Sequence, residues 1–219
     1  LCLDRAGLVG EDGHTHHGMF DIAYLRSIPN IVVMSPKDEN ELRHMLRTAL
    51  TYPGPIAMRY PRGEGIGVPM DDRMTTLPIG KSELLADGKD LAILALGSMV
   101  YPSLEAAARL KQDGISAAVI NSRFVKPVDR EMVLTMARKC KRIVTVEEGI
   151  LNGGFGSAVW ETLEEEGMSG VDIRRIGLPD DFIDHGPARL LRQKFGLDAD
   201  GITRRVLEFL GEKIGVSKT

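Results

Sequence analysis

The densest concentration of groups able to move protons is Gly10-Glu11-Asp12-Gly13-His14-Thr15-His16-His17-Gly18. It holds three of the chain's five histidines, with two carboxylates just upstream and glycines on both sides. Imidazoles and carboxylates are the usual general acids and bases near neutral pH. Glycines allow a tight loop, and loops beyond strand ends carry function in α/β folds. A solvated polar turn would use the same residues. A zinc site would want histidines four apart on a helix or a Cys-x-x-Cys partner, and neither is present. His14-x-His16 would therefore need a distant third ligand. Residue types alone leave proton transfer or substrate binding level with the polar turn.

Three further stretches could take part. Arg59-Tyr60-Pro61-Arg62-Gly63 sits at the end of an apolar run. A guanidinium fork matches phosphate bidentately, although a surface arginine at a domain edge would look the same. Glu147-Glu148-Gly149-Ile150-Leu151-Asn152-Gly153-Gly154-Phe155-Gly156-Ser157 is placed like a phosphate loop but matches no phosphate-loop pattern. Its two glutamates would repel an anion, so it reads as a structural turn that lets a helix start close to a sheet. Asp184-His185-Gly186-Pro187 is explained by a helix start with proline in its first turn. His44 falls mid-helix, where a lone histidine is usually structural.

The elements that must hold these residues alternate in type. Ile31–Met34 reads as a buried strand; Ser35 is expected to cap a helix from about Pro36 to Leu50, with strand 56–60 after it. Residues 63–78 hold three glycines and two prolines without periodicity and read as a linker. Beyond it, 82–85 and 91–96 read as a hairpin. Helices are expected at 102–113, 129–140, 155–166, 187–194 and 201–213, with strands at 115–121, 142–146 and 171–176. That alternation implies an α/β fold. A partial domain at 1–62 precedes a complete three-layer α/β/α domain at 79–219, whose sheet is mostly parallel with one antiparallel edge strand. The opening Leu1-Cys2-Leu3-Asp4-Arg5 reads as the end of a buried strand, so the chain is expected to be part of a longer polypeptide.

With 219 residues, 43% hydrophobic and 27% charged, the composition is that of an ordinary globular protein. A net charge of -3 with mixed signs gives no reason to expect a nucleic-acid or membrane partner. Cys2 and Cys140 are too far apart to suggest a disulfide framework or a metal pair, which suits a reducing, cytoplasmic compartment.

The stretch Asp4-Arg5-Ala6-Gly7-Leu8-Val9-Gly10, Asp12-Gly13, Thr15-His16, Gly18, Phe20-Asp21, Tyr24-Leu25-Arg26 and Ile28-Pro29-Asn30 resembles the pyrimidine-binding domain of the 1-deoxy-D-xylulose-5-phosphate synthase family, thiamine-diphosphate-dependent transketolase-like enzymes. Arg59–Gly63, Arg123–Asp129, Glu147-Glu148, Gly177–Asp180 and Gly196–Ala199 extend the likeness along essentially the whole chain. It implies a homodimeric transferase that joins pyruvate to D-glyceraldehyde 3-phosphate with loss of carbon dioxide, feeding isoprenoid-precursor, thiamine and pyridoxal synthesis. It implies thiamine diphosphate and Mg2+ in the intact enzyme, both held by residues upstream of Leu1, so the chain alone is expected to bind neither and to be inactive. His16 matches the family's active-site histidine, and Asp12 a carboxylate of the same site. Arg5 and Arg62 match the pair that grips the acceptor's phosphate. The part from residue 79 onward would be mainly scaffold and subunit contact. Two alternatives are a β-type subunit of another thiamine enzyme (transketolase or a 2-oxo-acid dehydrogenase) and a non-catalytic interaction module.

Overall fold

A computed structural model describes residues 1–211. Its strands are β1 Cys2–Leu3, β2 Val32–Met34, β3 Ile56–Arg59, β4 Glu83–Ala86, β5 Leu91–Ala95, β6 Ala117–Asn121, β7 Phe124–Lys126, β8 Arg142–Ile150 and β9 Asp172–Leu178. Its helices are α1 Asp21–Arg26, α2 Glu39–Thr51, α3 Val100–Gln112, α4 Arg130–Cys140, α5 Phe155–Glu165, α6 Ala188–Phe195 and α7 Ala199–Leu210. Residues 212 and 213, the expected end of the last helix, lie outside the described residues.

A four-stranded sheet has the order β1-β3-β2-β7, and a five-stranded sheet the order β4-β6-β5-β8-β9. The larger sheet is parallel except for β4, the antiparallel edge strand. β5 and β6 are buried along their whole length, which is why both read as unbroken apolar runs. One face carries α3, α6 and α7 over a core that includes Ile93, Val119, Leu110 and Ile202. The other carries α4 and α5 over Leu94, Ile120, Phe155 and Val159, and that core continues into Ile22, Leu25, Val33 and Ala57 of the smaller unit. The two sheets thus share one apolar interior.

Three local expectations need correction. β4 and β5 are not a hairpin, because β6 lies between them. Their connection passes the start of β6 instead of turning back. Lys89 and Asp90 both donate to the Ser116 carbonyl, at 3.0 and 2.9 Å, and a Cβ on Gly88 would stand 2.3 Å from the Ala117 carbonyl carbon. Crossing two strand spacings, about 10 Å, takes only the few extended residues available. Ser35 is not a helix cap. Residues 35–37 run on past β2, tied by the Ser35 amide to the Arg123 carbonyl at 2.8 Å. The cap is Asp38, whose carboxylate accepts from the Glu41 amide at 2.7 Å. Finally, Glu147-Glu148-Gly149 is strand, not turn; β8 runs through it to Ile150.

Residues 63–78 form no helix or strand but are strapped along α2. The Glu39 carboxylate accepts from the amides of Ile66, Gly67 and Val68 at 3.1, 2.6 and 3.0 Å. His44 accepts from the Thr75 amide at 2.9 Å and meets Asp71 at 2.7 Å, a structural use of its ring.

Candidate active site

β1 and β3 are adjacent and parallel, so their C-terminal ends open on the same side, where open α/β sheets bind ligands. Arg5 follows β1 and Arg62 follows β3. Between them runs a loop that closes on itself. The Gly7 and Gly18 amides each donate to the other's carbonyl at 2.9 Å. A Cβ at Gly18 would lie 1.9 Å from the Arg5 carbonyl oxygen, so only glycine lets the returning chain approach. A single 3-10 turn, Gly10–Asp12, then presents Asp12.

The Asp12 carboxylate joins the two arginines. Its Oδ2 stands 3.7 Å from Arg5 Nε and forms an ion pair with Arg62 Nη1. Both guanidinium groups remain about half exposed, at 44% and 52%. Asp4 also approaches Arg5, at 3.6 Å, so the two guanidinium groups face two carboxylates at the solvent edge. His16 sits on the same loop and is exposed, with Nδ1 2.9 Å from the Thr15 hydroxyl. The structure therefore brings Arg5, Asp12 and Arg62 into direct contact and places His16 four residues on from Asp12 in the closed loop.

Residues of the Arg59–Gly63 and Glu147–Ser157 stretches hold this arrangement, though not as phosphate binder or turn. Arg59 is buried and pairs with Asp21 at 2.8 Å, each 3% exposed. It also donates to the carbonyls of Gly18 and Glu148 at 3.3 and 3.1 Å. Removing one partner of such a pair typically costs about 3–5 kcal/mol. Glu148 accepts from the Leu8 amide at 3.1 Å, from Ser98 at 2.7 Å and from Arg192 at 3.0 and 3.1 Å. The far half of the chain thereby holds the stretch between Arg5 and Asp12. Two adjacent glutamates inside a long apolar strand were the available signal.

Glu147 explains why the glycine turn after β8 is not a phosphate cradle. Its carboxylate already takes the first amides of α5, Phe155 and Gly156, at 2.7 and 2.8 Å. Among the described residues no cluster of three or more His, Cys, Asp or Glu could hold a metal. Burial pushes the Glu147 carboxyl up to about 7, against the pull of those amides and of Arg59 and Arg175. A carboxyl raised on folding binds its proton more tightly in the folded state. Its contribution to stability is complete below the unfolded value of 4.5 and disappears as pH rises through 7. Glu147→Gln should remove a stability slope on the order of 3 kcal/mol across that window. Urea midpoints of both proteins at about pH 5 and about pH 8 check this. An equal slope in the variant would assign it to other groups.

The comparisons agree with this architecture. Residues 80–202 match the family model described as "Transketolase, C-terminal domain", and residues 1–66 match "Transketolase, pyrimidine binding domain". The 1-deoxy-D-xylulose-5-phosphate synthase 1 of Geobacter metallireducens is 56% identical over 96% of this chain and 34% of its own length. The synthase of Thermomicrobium roseum is 58% identical over 96% of this chain and 33% of its own. The chain thus spans about a third of the length of these relatives. A solved structure described as "Split gene transketolase, inactive beta4 tetramer" superposes with a TM-score of 0.83 and 33% identity, over 97% of this chain and 66% of that one.

Proposed function

Because the chain belongs to the transketolase family, carrying matches to its pyrimidine-binding and C-terminal domains, we propose that it supplies the acceptor side of the active site of a 1-deoxy-D-xylulose-5-phosphate synthase. That enzyme condenses pyruvate with D-glyceraldehyde 3-phosphate and releases carbon dioxide. The observation that carries this reading is the pair of guanidinium groups from adjacent parallel strand ends, sharing one carboxylate. Arg5 and Arg62 bind the acceptor's phosphate dianion. Asp12 keeps the two guanidinium groups together. His16 exchanges a proton with the reacting oxygens of the acceptor. Thiamine diphosphate with Mg2+ provides the carbanion chemistry of the family, and residues outside this chain would hold it. The chain divides into the end of a pyrimidine-binding domain at 1–62, a linker at 63–78 and a C-terminal domain at 79–219. The whole enzyme works as a cytoplasmic homodimer; no described helix is long and apolar enough to cross a membrane.

The test is a chimera in which these 219 residues replace the corresponding third of the Geobacter metallireducens synthase. It is expected to release carbon dioxide from pyruvate when given glyceraldehyde 3-phosphate, while the chain alone releases none. A folded chimera that takes a ketose phosphate donor, and ignores pyruvate, would establish the second reading instead. That reading is a β-type subunit requiring an α partner, and the likeness to the split-gene transketolase favours it.

A further inference from the structure

We propose that His17 is a positioning residue. Its imidazole pins the loop bearing Asp12 and His16 to the Phe182–Ala188 segment, making that segment the second wall of the acceptor site. The proposal rests on the functional reading above for its kinetic consequences and on geometry alone for the pin itself. His17 is buried, at 7% exposure, amid exposed neighbours. Its Nδ1 accepts from the Val9 amide at 3.0 Å, and its Nε2 faces the Asp184 carbonyl at 3.4 Å. Only a neutral ring protonated on Nε2 satisfies both partners. The Val9 bond fixes the chain midway between Arg5 and Asp12, next to the Leu8 amide that Glu148 holds.

Independent contacts close the same seam. The Gly186 amide donates to the Gly10 carbonyl at 3.2 Å. A Cβ on Gly13 would meet His185 Cβ at 3.3 Å, so the loop lies directly on that residue. Phe182, 72% exposed, stands edge-on to Phe20 at 5.9 Å and to His14 at 6.4 Å between ring centres. Residues far apart in sequence thus form one wall beside the arginine cluster, and His17 is its hydrogen-bonded hinge pin.

The test compares His17→Leu, which can neither accept nor donate, with His17→Gln, whose amide can do both. In this 219-residue chain, hydrogen exchange of residues 8–18 should quicken about 10-fold or more in His17→Leu. It should stay near the parent rate in His17→Gln, and the strands β5 and β8 should be unchanged in both. In the chimera, His17→Leu should raise the KM for glyceraldehyde 3-phosphate by about 10- to 100-fold, as misplacement by an ångström does. KM for pyruvate should hold, and His17→Gln should restore the acceptor KM. Should His17→Leu not fold, His17→Asn, long enough for Val9 but too short for Asp184, gives the same readouts at smaller amplitude. Parent-like exchange over 8–18, or a lowered melting temperature with unaltered acceptor KM, would overturn the proposal. The exchange experiment needs no activity, so loop loosening in an inactive chimera would retain the pin and reject the synthase reading.

Discussion

His16→Ala in the chimera is expected to lower kcat by about 100- to 10,000-fold, the range that a positioned general acid or base contributes. The ring is exposed on a loop whose two ends are bonded together at Gly7 and Gly18, so it is free to meet a ligand yet held in place. Among the described residues its ring bonds to the neighbouring Thr15 hydroxyl alone, and its removal should leave folding intact. An effect on kcat with little change in acceptor KM separates proton transfer from binding. His16→Ala with wild-type kcat would remove His16 from the chemistry. A melting temperature within a degree or two of the parent's is the control that the loop survives.

Replacing Arg5 or Arg62 by Ala is expected to raise KM for glyceraldehyde 3-phosphate by roughly 10- to 150-fold. A charge-assisted contact of this kind is worth about 1.5–3 kcal/mol, at about 1.4 kcal/mol per decade. Both side chains are about half exposed, so neither deletion strands a buried charge and the folding cost should be small. Each variant leaves Asp12 with one arginine. With Asp4 also beside Arg5, the local charge then falls from balanced to net negative, which weakens attraction to a dianion beyond the loss of one contact. Pyruvate, lacking a phosphate, should keep its KM. Equal loss of pyruvate and acceptor affinity would show that the arginines shape the site as a whole and do not read the phosphate.

The large-scale fold was readable because strands buried on both faces declare themselves as apolar runs; Leu91–Ala95 and Ala117–Asn121 are such runs. Strand order was not, because a short connection such as 87–90 can either turn back or step over a neighbour, and tertiary pairing decides. β7 was missed for a similar reason. Three residues ending before Pro127 carry no period, and the strand exists only because the β2 edge stands beside it. Among the site residues, the resemblance pointed to Arg5, Asp12, His16 and Arg62. It did not show that Asp12 would bridge the two arginines, since residues 5, 12 and 62 meet only through the closing of two strand ends. The groups that hold the loop were harder to see. Asp21, Arg59 and Glu148 lie in stretches that the sequence marked, but their holding role, like that of Arg192, depends on burial against one another.

The antiparallel pairing of β7 with β2 joins Met34 to Phe124, positions ninety residues apart. A ribosome adding about 5–20 residues per second needs roughly 5–20 s to make that interval. During it the open edge of β2 is a template for any passing strand. The first sheet therefore cannot mature in order of synthesis; its last member arrives only after residues 63–78 and three strands of the next sheet have emerged. Slower translation through residues 63–123 is therefore expected to lengthen the exposure of that edge.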